Sequence, residues 1–228
     1  MTQAGIAVRL DEQVVARAAA VAKGTGNTLS CVLDLAAAAG LGDSHAAATL
    51  ARLRDPAIRV TPHQLALMLT RAGLTSRVLA VRLGSWTTGQ PTQEPNPLHR
   101  CGFGWRDEHM TDAEAAGSTL GFWRINPKHL PHTRHVLGYR LGRCVAVFAV
   151  DPDGWGTWDG RAYNAAAHLI RNEILVDPWS GATVGEPDND DRAVFAAATG
   201  TVLAVPPPAR NPVVWLVPPP ARGRSFTG

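Results

Sequence analysis

The chain has 228 residues, a formal net charge of +3 and apolar side chains at 45% of its positions, enough for one large or two small domains whose core needs no staples. That composition excludes a disordered chain, and no run approaches the ~20 apolar residues of a helical membrane span. Three cysteines, Cys31, Cys101 and Cys144, are odd in number and lack a Cys-x-x-Cys pair or a His-x-x-x-His partner, so the pattern points to free or buried thiols and to no zinc site.

Asp11 to Lys23 is an alanine-rich helical pattern with Asp11 at its N-cap, ended by Gly24 to Asn27. Asp11 and Glu12 stand close to the N-terminus with no apolar run there, so a signal peptide is not expected and a cytoplasmic location is. A second helix starts at Asn27, Thr28 or Ser30 and runs through Cys31 to Gly40, and a third opens at Asp43 or Ser44 and closes at Asp55-Pro56. Thr61-Pro62 is a cap followed by proline at the first helical position; that helix ends at Gly73. Leu74 to Leu83, with Arg77 and Arg82, reads either as a second helix or as a buried strand through Val78, Leu79 and Val81. Gly84 to Pro97, rich in glycine and proline, is the predicted linker.

Thr111 opens a short helix with an acidic first turn. From His135 an apolar pattern approaches a Gly142-Arg143 turn, and Cys144 to Val150 runs almost wholly apolar, as a strand covered on both faces does. Asp151-Pro152-Asp153-Gly154 stops it, and Trp155 and Trp158 follow. Arg161 to Ile170 and Glu173 to Val176 read as two strands joined near Arg171-Asn172, Glu186 to Asp191 as an acidic surface loop, and Ala193 to Ala198 as a short helix. Val202 to Val205 and Val213 to Val217 are candidate closing strands. The chain thus divides into a helical part (residues 1–90), an irregular linker (91–110), a β-rich module (111–217) and a disordered tail (218–228).

Gly121-Phe122-Trp123-Arg124-Ile125, the hairpin with its Gly142 turn, Trp155, Asp159-Gly160-Arg161, and Arg210-Asn211-Pro212-Val213-Val214-Trp215 occur in that order. Together they resemble the PUA, EVE and ASCH group of nucleic-acid-binding barrels, over residues 111–217. The resemblance implies an α+β protein, a helical N-terminal part followed by a small mixed or antiparallel β-barrel. It also implies non-catalytic binding of nucleic acid, of an exposed or modified base, beside a partner nuclease or other enzyme. The helix-Gly-helix pattern before the linker resembles helix-turn-helix regions, which would carry Arg77 and Arg82 into a major groove.

Proteins that hold an unstacked base use aromatic faces and a few polar groups, because every base has a π face and a polar rim. Trp123, Trp155, Trp158, Tyr163 and Trp215 are the candidate faces; Arg124, Asn164 and Asn211 are the candidate edge or phosphate contacts. The same aromatics also suit a barrel core. The net positive charge adds little, since Lys23 and Lys128 are the only lysines and an arginine-rich, alanine-rich chain also follows from GC-rich coding.

A competing constellation resembles papain-fold toxins and deamidases. It has Cys31 at a helix start, where the helix dipole lowers a thiol pKa, and the strands around Arg161 and Asp177 in the order of that family's His and Asp strands. Arg161 stands where the histidine belongs and cannot accept a thiol proton; His168, near Asp177 across a tight turn, is the substitute. The resemblance then implies a thiol hydrolase with Cys31, His168 and Asp177. The histidines His129, His132 and His135, broken by Pro131, are expected in solvent-facing loops. No phosphate loop, dinucleotide fingerprint or acid box implies a cofactor or metal.

Overall fold

Three helices begin on side chains that satisfy their own first N–H groups. The structure, a computed structural model, describes residues 12–25, 29–44, 46–47, 50–51, 59–88, 96–100, 102–106, 110–171, 173–204 and 213–216. Its helices are α1 (Glu12–Thr25), α2 (Leu29–Gly40), α3 (Pro62–Arg71), α4 (Asp112–Thr119) and α5 (Asn189–Thr199). Before α3, Thr61 Oγ1 accepts from the Gln64 N–H at 3.2 Å and Gln64 Oε1 from the Thr61 N–H at 2.8 Å. Thr111 and Glu114 do the same for α4, and Asp188 and Asp191 for α5. The expected acidic loop at Glu186 to Asp191 is therefore in part a helix start, and α5 is longer than the segment predicted.

Strands β1 (Arg59–Val60), β2 (Arg77–Arg82), β6 (Thr133–Arg140), β7 (Arg143–Val150), β10 (Ala167–Arg171), β11 (Ile174–Val176), β12 (Thr183–Gly185), β13 (Val202–Leu203) and β14 (Val213–Trp215) form one sheet. Its path is β12-β11-β10-β7-β6-β2-β14, with β13 joining β1 to the start of β7. Leu141 and Gly142, both at positive φ, make the tight turn between β6 and β7. β5 (Gly121–Trp123), β8 (Trp155–Trp158) and β9 (Arg161–Asn164) form a separate three-stranded sheet, and β3 (Thr87–Thr88) pairs with β4 (Gly102–Phe103).

The architecture is α+β, as expected, but among the described residues the large sheet is open: its ends, β12 and β14, are not paired with each other, so the anticipated barrel does not close there. Residues 77–82 are a strand, which rules out a groove-reading helix there. β2 lies between β6 and β14, so the sheet does not respect the division expected near residue 90. The reason is burial on both sides. Val78 and Ala80 face a core built with α3 and α5, while Leu79 and Val81 face a core built with α4 and the small sheet. A strand covered twice loses the alternation that would announce it. α1 and α2 pack on each other through Ala18, Ala22 and Val32. The run Arg161 to Ile170, expected as one strand, breaks at Asn164 into β9 and β10, which belong to different sheets.

One ladder is incomplete. β10 pairs with β7 only from Ala167↔Val150 to Leu169↔Phe148, and Ile170 and Arg171 pair with β11 alone. Val145 to Val147 of β7 thus face a gap of about 450 Å³ between α4 and α5.

Candidate nucleic-acid interface

β2 and β6 are parallel and in register, Arg82 opposite Tyr139, so both strands deliver their last residues to one edge of the sheet. The carboxyl ends of neighbouring parallel strands are where open sheets place ligands. Beyond β2 the chain is held flat: the Leu83 N–H donates to the Tyr139 carbonyl at 2.7 Å, Trp105 to Gly84 at 2.9 Å and Trp86 to Trp105 at 3.0 Å. Gly104, at φ +93°, packs against the Ser85 carbonyl so closely that a Cβ there would overlap it. The result is a concavity of about 270 Å³ walled by Arg82, Ser85, Arg100, Phe103 and Trp123.

Two guanidiniums define its electrostatics. Arg100 is half-buried and donates to the carbonyls of Gly102 at 2.7 Å and Gly121 at 2.8 Å, with its guanidinium 5.5 Å from the Phe103 ring. Burial, and then the charge of Arg161, bring its pKa down to about 10. Arg140 donates to Ser85 Oγ at 3.2 Å and towards Cys31 Sγ at 3.9 Å. Arg100 therefore holds its charge against two neutral carbonyls. Arg82 is half-buried too; burial lowers its pKa, and the nearby Cys31 opposes that shift.

Of the aromatics expected to stack, Trp123 reaches this concavity, its indole N–H fixed on the Thr119 carbonyl at 2.9 Å. Arg124 follows it on the surface. Trp158 and Tyr163 instead pack on Phe122, with ring centroids 5.0 and 5.6 Å away, and Trp155 joins the same core; none of the three walls the concavity. Asn164 is fully buried. Its Nδ2 donates to the Asp151 carbonyl at 2.7 Å and its Oδ1 accepts from Ala166 at 2.9 Å, so it is a turn anchor and not a base reader. Arg77 sits at the opposite end of β2 with its guanidinium 5.6 Å from the Trp215 ring. Asn211 lies outside the described residues. Phe103, 48% exposed, and Arg100 and Arg140 were not singled out in the sequence; the Gly102-Phe103-Gly104 spacing was the available signal.

Compared with known proteins, the chain matches no family model, no curated protein and no solved structure.

The thiol constellation does not assemble. Leu169 opposite Val176 puts Asp177 directly across from His168, not one diagonal away with Ala166 opposite Asp177 as a two-residue turn would have it, and the His168 charge helps hold the Asp177 pKa down. The larger cause is the hydrogen bond from the Ser180 N–H: Asp177 Oδ1 accepts from Trp179 at 2.9 Å and Ser180 at 2.8 Å, closing a turn. His168, Ala149 and His135 stand in one row across three strands. Cys31 lies against Arg140, five residues further along β6 from His135, roughly 16 Å at ~3.3 Å per residue. The thiol and His168 are at opposite ends of the sheet.

That row holds a contact the sequence did not suggest. His135, expected in a loop, is 2% exposed, and its Nε2 lies 2.8 Å from Asp191 Oδ1. Asp191 interacts electrostatically with His168 as well, above the small Ala149 that separates the two histidines. Among the described residues no group of three or more His, Cys, Asp or Glu side chains is placed to hold a metal ion, and no helix is long and apolar enough to cross a membrane.

Proposed function

We propose that the protein binds nucleic acid without catalysis, through the concavity at the carboxyl ends of β2 and β6. The observation that carries this reading is the charge balance of Arg100, a partly buried guanidinium whose acceptors are two neutral backbone carbonyls, with Arg140, held on the Ser85 hydroxyl and the Cys31 sulfur, beside it. Withdrawing cations from water is unfavourable unless an anion joins them, and a phosphate accepts from guanidinium forks in the geometry they offer. Phe103 and Trp123 stand beside them as π faces for a base. Against the thiol-hydrolase reading, the charged side chains beside Cys31 among the described residues include Arg82 and Arg140, and a guanidinium does not accept a proton at neutral pH.

A panel of single-stranded and modified duplex oligonucleotides tests the proposal by fluorescence anisotropy. Binding is expected at low salt and weakens steeply with added salt, by a logarithmic slope of about 0.7 for each phosphate neutralised on a single strand. Absence of binding across the panel at low salt would sink the proposal.

A further inference from the structure

We infer that Arg77, Lys128, His129 and His132, gathered around Trp215, form a second contact surface for the phosphodiester backbone of a nucleic acid, whose hold tightens as the histidines take up protons. The inference rests on the nucleic-acid reading above for its ligand. It adds a surface at the end of β2 remote from the concavity, roughly 16 Å from Arg82 at ~3.3 Å per residue.

Three segments bring the group together. β14 lies beside β2 with Trp215 opposite Leu79, which shares a face of the strand with Arg77, and the Arg77 guanidinium comes within 5.6 Å of the Trp215 ring centre. The His129 ring meets the same indole edge-on at 5.3 Å. It is carried by the short helical turn Pro127–His132, whose end is fixed where Thr133 Oγ1 donates to the His129 carbonyl at 2.9 Å. Lys128 and His132 stand exposed on that turn. On β6, Thr133 pairs with Arg77 and His135 with Val78, so the exposed Arg134 is a bulged residue beside Arg77 and adds to the same field.

The charge here is unmatched. Arg77 Nε is buried with no hydrogen-bond partner, and among the described residues neither Arg77, Lys128 nor Arg134 joins an ion pair. Burial, then the charges of Arg77 and His132, hold the His129 pKa below its ordinary value. The turn Pro152–Gly154, packed against Pro127–His132, brings the carboxylates Asp151 and Asp153. Asp151 Oδ1 already accepts from the Asp153 N–H at 2.9 Å, and every charge that shifts His129 is positive. A phosphate reverses that balance: its oxygens accept from guanidinium, ammonium and imidazolium alike, and its charge favours the protonated ring. A lipid surface fits less well. Proteins that lie on membranes bury apolar side chains in the interface, and none of the large exposed apolar residues belongs to this group.

The test follows binding of a long single strand by anisotropy from about pH 7.5 to about pH 5.5, across the ordinary histidine range. Internal phosphodiesters do not titrate there, so affinity that rises as pH falls reports the protein. The rise is expected in the parent and lost in the His129→Gln/His132→Gln double variant. His129→Arg, which makes the charge permanent, should raise affinity at about pH 7.5, where the parent ring is neutral. Arg77→Gln should weaken binding throughout and lower the slope of log affinity against log salt by about 0.7, one phosphate on a single strand. Arg17→Gln, which removes one exposed charge from α1, should change neither, and Arg100→Gln, in the concavity, should weaken binding but keep the pH response. Circular dichroism checks the fold of each variant. A pH response that survives the double variant, or a parental salt slope in Arg77→Gln, overturns the inference and leaves the concavity standing. Anionic vesicles that bind the parent and lose Arg77→Gln, with strand binding unchanged, also overturn it and assign the surface to a membrane. Failure of every strand to bind removes both readings.

Discussion

Nε2 of His135 and Oδ1 of Asp191 lie 2.8 Å apart across 56 residues of sequence, tying the start of β6 to the first turn of α5. Burial alone would raise the Asp191 pKa. The hydrogen bond from His135, the Asp188 N–H and the charges of both histidines outweigh it and hold the carboxyl below its ordinary value. A carboxylate with a depressed folded pKa contributes stability that is complete above the unfolded value, ~3.9, and is lost as pH falls through the lower folded value. Urea midpoints should therefore hold from neutral pH down to about pH 4 as far as this group is concerned, then drop. Asp191→Asn should cost about 1–3 kcal/mol at neutral pH and flatten that acid limb.

Phe103 is the cleanest probe of stacking because nearly half its surface is exposed. Phe103→Ala should remove ~1–3 kcal/mol of oligonucleotide binding by anisotropy titration. Its melting temperature should stay close to that of the parent. A fall in melting temperature with no change in affinity would assign the ring to packing.

The two described cysteines should differ in reactivity. Burial pushes the Cys144 thiol up to about 12, whereas Cys31 is half-exposed beside Arg140. Iodoacetamide at neutral pH, followed by peptide mapping, should modify Cys31 well before Cys144 in the native protein, since the thiolate is the reacting form. Cys31→Ser should keep oligonucleotide affinity within about twofold, a change of ~0.4 kcal/mol. Loss of a glutaminase or peptidase activity on that substitution would revive the thiol reading.

Asn164 links the Asp151 and Ala166 backbones where the chain passes from the small sheet to the large one. Asn164→Ala removes a fully buried side chain with its two hydrogen bonds, to the Asp151 carbonyl and from the Ala166 N–H, and should cost about 1–3 kcal/mol in urea denaturation. Affinity for nucleic acid, measured well below the unfolding transition, should not change.

What was legible in the sequence was local. Thr61-Pro62 and Thr111 with Glu114 mark helix starts because their chemistry is complete within four residues. The β6–β7 hairpin follows for the same reason. What was not legible depended on distant partners. Leu74 to Leu83 was ambiguous because β2 is apolar on both faces, and only β6 and β14, far along the chain, decide that it is a strand. Asp188-x-x-Asp191 carried a capping spacing that an acidic-loop reading passed over, and with it the burial of His135. At the candidate site Trp123 and Arg82 were foreseen as residue types. Their meeting with Arg100 and Arg140 depends on the parallel register of β2 and β6, which no local pattern encodes.

The position of β2 sets an order of events during synthesis. Its neighbours are made later, β6 after residues 83–132 and β14 only at residues 213–215. At ~5–20 residues per second, a ribosome takes about 3–10 s to supply the first and longer still for the second. Through that interval the Val78–Val81 segment, apolar on both sides, waits with neither edge hydrogen-bonded. α3, complete before this segment is made, can cover its Val78 and Ala80 face in that interval, while both strand edges wait for β6 and β14.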